Sequence, residues 1–150
     1  MYGFYLFIHL LALSVWLGSI VAVAVMLASM KRQLQSVEVS GLARKTVRIF
    51  NMLTHPSAFL VLMSGGLMMI EAGMSSDKPF WLAYMERVGG MTILLFIVVI
   101  SIMGKRLVKR IIAENDNPLA AMKSVTSYVT GLTVSSALVM SVIFMVSVKL

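Results

Sequence analysis

The sequence predicts an all-α integral membrane protein: one antiparallel four-helix bundle with both termini on the non-cytoplasmic side. Three observations carry that reading. Apolar residues make up 59% of the 150 positions and charged residues only 13%, against about 25% charged in ordinary soluble domains. The apolar residues gather into four runs, each near the ~20 residues that a helix needs to cross a bilayer. The basic residues, finally, are shared very unequally among the connections. So apolar a chain has too little polar surface for a soluble domain and too much apolar surface for a disordered one. Cysteine is absent, which excludes disulfides, thiolate metal sites and a cysteine nucleophile.

The first span is expected at about 4–28 and carries no charge. Its apolar run is too long for a cleaved signal peptide, and no basic residue precedes it. Lys31–Arg48 is amphipathic, with Leu34, Val37, Leu42 and Val47 at near-helical spacing. It reads as a helical extension of the first span, with Gly41 marking a break. The second span is expected at about 50–70. A short loop around Asp77-Lys78-Pro79 then makes a tight hairpin into the third span, at about 81–104, where Trp81 and Tyr84 fit an interfacial aromatic belt. Glu114-Asn115-Asp116-Asn117-Pro118 is a turn signal: Asp116 or Asn117 caps the last helix and Pro118 takes its first position. The fourth span, about 124–148, is again uncharged. Residues 1–150 thus form a single membrane domain, multi-pass in the inner or plasma membrane.

The formal charge is +7. Lys31, Arg32, Arg44, Lys45 and Arg48 lie between spans one and two. Lys105, Arg106, Lys109, Arg110 and Lys123 lie between spans three and four. Only Lys78, Arg87 and Lys149 fall on the other side. Positively charged connections stay in the cytoplasm, which places both termini outside. The same residues suit the anionic headgroups of the lipid bilayer. They lack the aromatic interleaving of a nucleic-acid surface, so no nucleic-acid partner is expected. A bundle this small has little interior for a transport path, which leaves room for a homodimer. No phosphate loop, nucleophile elbow or HExxH motif is present, and no catalytic residue is assigned.

Ionisable side chains inside a span are costly and mark functional positions by default. The two histidines both fall within spans: His9 toward the outer end of the first, His55 toward the inner end of the second. Neutral imidazole ligates metals and haem iron; the bland alternative for each is a hydrogen bond to a neighbouring hydroxyl or carbonyl. At about 1.5 Å per residue their depths differ too much for one shared iron. Tyr5 and Trp16 lie on the face of His9, an arrangement that suits a planar ligand or a plain helix contact. Methionine contributes 14 residues, and thioether sulfur favours Cu(I). Met26, Met30, Met52 and His55 fall at one membrane level and form a candidate copper set, against the alternative that methionine fills irregular gaps. Ser64-Gly65-Gly66, Gly89-Gly90 and Gly131 read chiefly as close-packing points between helices, or else as flat space for a porphyrin.

His9 is followed by six apolar or small residues and then by Trp16-Leu17-Gly18. This pattern resembles the opening helix of bacterial copper-resistance D domain proteins and of related small four-helix membrane proteins of unknown function. Thr54-His55-Pro56 followed by Ser64-Gly65-Gly66 is similar to the second helix of that group. More remotely, the first span resembles the small membrane protoporphyrinogen oxidases of haem synthesis. Those oxidases follow their Trp-x-x-Gly with Leu-Phe-Tyr and an arginine and place a lysine in a later span. Here Ser19-Ile20-Val21-Ala22 follow Gly18, and Lys105 lies only at the end of span three. The resemblance implies a haem or metal ion at His9, with Trp16 and Gly18 as the matching positions and His55 as a second ligand, or else copper handling. Haem ranks ahead of copper, and a cofactor-free accessory protein and a haem-dependent oxidoreductase remain as further readings.

Overall fold

The computed structural model describes residues 1–34, 36–73, 79–113 and 118–148. Helix α1 spans Tyr2–Met30 and closes in a 3-10 turn, Lys31–Gln33. Helix α2 spans Val37–Glu71. The short α3, Phe80–Tyr84, runs through a π turn, Met85–Gly89, into α4, Gly90–Ala113, and α5 spans Pro118–Val148. No strand occurs among the described residues. Since α3, the π turn and α4 form one rod, the chain has four helices long and apolar enough to cross a membrane.

The segment 31–48 differs from the sequence expectation. It does not prolong α1. The chain leaves α1 through the 3-10 turn, Ser36 is extended (φ −74°, ψ 130°), and α2 starts at Val37 and continues through Gly41 without a break. A mid-helix glycine costs about 1 kcal/mol relative to alanine. Ala43 and Val47, both fully buried, offset that by tying this stretch of α2 to the core. At the other turn α5 begins at Pro118 as expected, while the proposed caps Asp116 and Asn117 lie outside the described residues, as do Asp77, Lys78 and Lys149.

Helix α1 packs most heavily on α2 and also touches α5; α4 packs on α2 and α5. The shared core is apolar and draws on all four rods: Trp16 and Ile20, Val47 and Ala58, Ile100, and Leu132. Trp16 meets Phe96 edge-on, with ring centroids 5.0 Å apart. The outward faces are as apolar as the inside, with Phe7, Val25, Ile49, Phe59, Val98 and Phe144 all exposed. Hydroxyls on those faces turn back onto their own helices: Ser14 donates to the Leu10 carbonyl, Ser29 to Val25, Thr126 to Met122, Thr133 to Val129 and Ser147 to Ile143. An outer surface with its polar groups satisfied internally is what a surrounding without hydrogen-bond partners requires.

Contacts between helices set the register. His9 lies at Ser64, and Ser19 Oγ is 3.1 Å from Thr54 Oγ1. His55 lies at Ser101, and Gly104 faces Val47 and Asn51. Arg110 donates to Ser124 Oγ at 2.9 Å, and Gly89 faces Val142.

Candidate functional site

His9 is half-buried on α1 and turned toward α2. Its Nδ1 lies 3.1 Å from the Val61 carbonyl oxygen and 3.1 Å from Ser64 Oγ. A carbonyl only accepts, so Nδ1 carries the proton, and in the neutral ring the lone pair is on Nε2. Ser64 Oγ in turn donates to the Leu60 carbonyl at 2.6 Å, which leaves it free to accept. Nε2 has no hydrogen-bond partner among the described residues. A histidine held through Nδ1 by a backbone carbonyl, with Nε2 unengaged, has the orientation and tautomer of a metal-ligating imidazole.

The imidazole lines a cavity of about 680 Å³. That lies within the range of about 300–1,000 Å³ typical of cofactor and small-molecule sites. Its walls come from every rod: His9, Leu13 and Trp16 of α1, six residues of α2 between Val61 and Ile70 with Gly73 just beyond its end, Met85 to Ile93 of the π turn and α4, and Val139 to Ile143 of α5. Five of the ten glycines, Gly65, Gly66, Gly73, Gly89 and Gly90, contribute to the lining. Two of them serve close packing: a Cβ on Gly65 would lie 3.4 Å from His9 Cε1, and one on Gly89 would lie 3.4 Å from Val142 Cγ1. Gly66 and Gly90 behave differently, since a Cβ on either would meet nothing within 4 Å. These two bring no helices together; their missing side chains open the cavity. Gly73 has φ +62°, a left-handed conformation that favours glycine at the end of α2.

Trp16 is fully buried, and its Nε1 has no hydrogen-bond partner among the described residues. It lines the cavity and is packed edge-on against Phe96. Gly18 is exposed on α1 and does not line the cavity. Tyr5, though on the face of His9, pairs with Phe4 and stays outside the lining.

His55 sits elsewhere, roughly 12 Å further along α2 from the His9 contact at 1.5 Å per residue. Its Nδ1 donates to the Asn51 carbonyl at 2.6 Å, and its Nε2 is paired with the Ser101 hydroxyl. Both ring nitrogens are thus engaged. Beside this pair Asn51 and Tyr128 converge on Gly104, where a Cβ would lie 3.2 Å from Asn51 Nδ2 and 3.4 Å from Tyr128 OH. Asn51 Oδ1 and Tyr128 OH are buried and have no hydrogen-bond partner among the described residues.

The methionines singled out with His55 do not assemble around it. Met52 is 80% exposed and Met26 is exposed on the outer face of α1, while Met30 is partly buried against the core. Among the described residues, no three His, Asp or Glu side chains gather as a metal site. Two other methionines, Met69 and Met85, line the cavity with His9, and sequence spacing gave no sign of them. The signal that was available is the pair of glycine doublets, Gly65-Gly66 and Gly89-Gly90, on consecutive spans.

No family model matches this chain, and neither a curated protein nor a solved structure matches it.

Proposed function

We propose that this chain is a multi-pass membrane protein that binds haem in the His9 cavity, with His9 Nε2 as an axial ligand. The observation that carries the reading is the combination of one unengaged imidazole nitrogen with a slot opened by Gly66 and Gly90. A lone metal ion fills little of 680 Å³; a water molecule, for scale, takes about 30 Å³. A lipid chain would fill the space and leave the imidazole nitrogen unsatisfied, at a cost of about 1–3 kcal/mol. A porphyrin would answer both demands: His9 would hold its iron, and the glycines and apolar side chains of the lining would accommodate its ring. Trp16, packed edge-on against Phe96, lines the same cavity. Haem bound here would supply one-electron chemistry or a gas-binding iron; this chain's residues would contribute the ligand and its orientation through Val61 and Ser64. The resemblance of the first two spans to copper-resistance D domain proteins and, remotely, to the membrane oxidases of haem synthesis supports the same position, His9.

The membrane reading rests on the apolar outer faces and on the hydroxyls bonded back to their own helices. The register pairs His9 with Ser64, His55 with Ser101 and Arg110 with Ser124, as in an antiparallel four-helix bundle. The charged ends of α2 and α4 then project together on the cytoplasmic side against anionic headgroups, with both termini outside.

The test is a visible spectrum of protein purified in detergent from haem-replete cells. We expect a Soret band that co-purifies with the wild type and is lost in His9→Gly. A colourless wild type overturns the haem reading.

A further inference from the structure

The cavity changes character along its length. Toward one end its lining is buried, with Trp16, Val61 and Ile93 all inside the core. Toward the other, Ile70, Gly73 and Glu86 line it while remaining exposed. It is therefore a slot with an apolar, buried end and an exposed mouth, where α2 stops and the π turn lies. Such five-residue widenings of a helix recur at functional sites.

The contacts between α2 and α4 set the depth of Glu86. Ser101 lies at His55, and Gly104 faces Asn51 and Val47, so the two helices run in opposite directions. Moving fifteen residues from the first contact along both brings Glu86 level with Ile70. His9 meets α2 at Ser64, six residues short of Ile70, which is roughly 9 Å at 1.5 Å per residue. Between these two levels the cavity is lined by apolar side chains and glycine, with open space over Gly66 and Gly90.

Glu86 is the one Asp, Glu, Lys or Arg among the described residues of the lining. Its neighbour Arg87 does not line the cavity, and neither does Glu71, whose carboxylate bonds the N-terminal amine at 2.9 Å. A carboxylate at the mouth, with no cation in the lining beside it, attracts a positive group and repels an anion of the same shape. The apolar walls favour an apolar body. A bare divalent cation uses only the first of these features and takes six or more oxygen ligands, whereas no three His, Asp or Glu gather among the described residues. A neutral apolar molecule uses only the second.

We propose that the cavity is a binding site for organic monocations with an apolar body, the charge held at Glu86 and the body lying in the slot toward His9. This goes beyond the haem reading and does not rest on it.

The experiment is isothermal titration calorimetry of the full chain in lipid nanodiscs, with empty nanodiscs as the blank. The probes are phenylbutyltrimethylammonium and phenylbutanesulfonate, which share one apolar body and carry opposite charges. The wild type is expected to bind the cation saturably and at least about tenfold more tightly than the anion. Glu86→Gln should remove that preference, Glu86→Asp should keep most of it, and Glu38→Gln, the same charge change at the far end of α2, should leave it within about twofold of the wild type. Gly66→Leu should weaken the cation severalfold by filling the slot. No saturable binding, an anion bound as tightly as the cation, or a preference untouched by Glu86→Gln overturns the proposal; so does cation binding indifferent to Gly66→Leu. The Soret band of each sample reads the haem proposal separately. A colourless protein that selects the cation keeps this inference and loses haem, and a haem-loaded protein without charge selection does the reverse.

Discussion

At one end of the molecule His9 keeps a ring nitrogen open to a cavity of about 680 Å³. Near the middle of α2, His55 has both nitrogens engaged, by the Asn51 carbonyl and the Ser101 hydroxyl, and it does not line that cavity. In the sequence the two positions carry one signal, an ionisable ring in an apolar span. The difference lies in the helix opposite. α2 offers His9 one carbonyl and one hydroxyl on a single edge, then two glycines. α4 offers His55 a hydroxyl that completes its pairing, and Gly104 lets Asn51 and Tyr128 close over the gap. How many of its nitrogens the neighbouring helices occupy sets whether such a histidine keeps a donor atom free.

The sharpest way to break this comparison is to remove each ring. We expect His9→Gly to reduce haem occupancy at least tenfold, with recovery on adding imidazole. His55→Ala should leave occupancy within about twofold of the wild type and lower thermal stability instead, because the Ser101 hydroxyl and the Asn51 carbonyl lose a partner, at about 1–3 kcal/mol. If the two variants lose haem equally, the two sites are not distinct.

The glycines sharpen it further. Gly66→Leu and Gly90→Leu each place a side chain in open space, so they should cut haem occupancy severalfold while melting at or above the wild-type temperature, since leucine is the better helix former by roughly 0.8 kcal/mol. Gly104→Ala, beside His55, should do the reverse. Its Cβ would press on Asn51 Nδ2 at 3.2 Å and Tyr128 OH at 3.4 Å, so we expect a loss of about 1–2 kcal/mol in thermal unfolding with haem occupancy unchanged. Occupancy untouched by leucine at both Gly66 and Gly90 would mean that the ligand does not use the slot.

Much of this architecture was legible beforehand. The apolar runs place α1 and one end of each other long helix within about two residues, but α2, α4 and α5 run 13, 9 and 6 residues further at their charged ends, where only Pro118 marks a boundary, because its fixed φ and missing N–H suit a first helical position. The 31–48 segment was not legible. Its amphipathic pattern fits either neighbouring helix, and the choice is made by Ala43 and Val47 packing into a core that only the assembled helices create. At the site, His9 and Trp16 could be singled out because a histidine and a tryptophan stand out in a leucine-rich helix. Gly18 shares their motif but lies on the outer face of α1, since two residues beyond Trp16 the helix has turned through more than half a revolution. Met69 and Met85 were hidden among 14 methionines, with nothing in their spacing to mark them. Glycine doublets announce small volume without saying whether another helix or a ligand fills it.

The basic connections predict an orientation. A reporter fused after Leu150 should be active only outside the cytoplasm. Reversing Lys31, Arg32, Arg44, Lys45 and Arg48 to acidic residues should disturb insertion more than reversing Lys78 and Lys149. Equal sensitivity at the two ends would remove the charge argument for orientation and leave the helix packing untouched.

The smallest expected effect concerns Tyr128. Among the described residues its buried hydroxyl has no partner, and neither has the nearby Asn51 Oδ1. A buried hydroxyl with no hydrogen bond is destabilising, and phenylalanine keeps the ring packing while removing the desolvated group. Tyr128→Phe is therefore expected to leave the melting temperature unchanged or to raise stability by up to about 1 kcal/mol. A loss of more than about 1 kcal/mol would mean that the hydroxyl is satisfied, directly by Asn51 or through a buried water of the kind that bridges polar groups in protein interiors. A double-mutant cycle with Asn51→Leu decides the matter. Two isolated groups give additive changes. A bonded pair gives a coupling of about 0.5–1.5 kcal/mol, and the region beside His55 would then owe part of its closure to a Tyr128–Asn51 link rather than to packing around Gly104 alone.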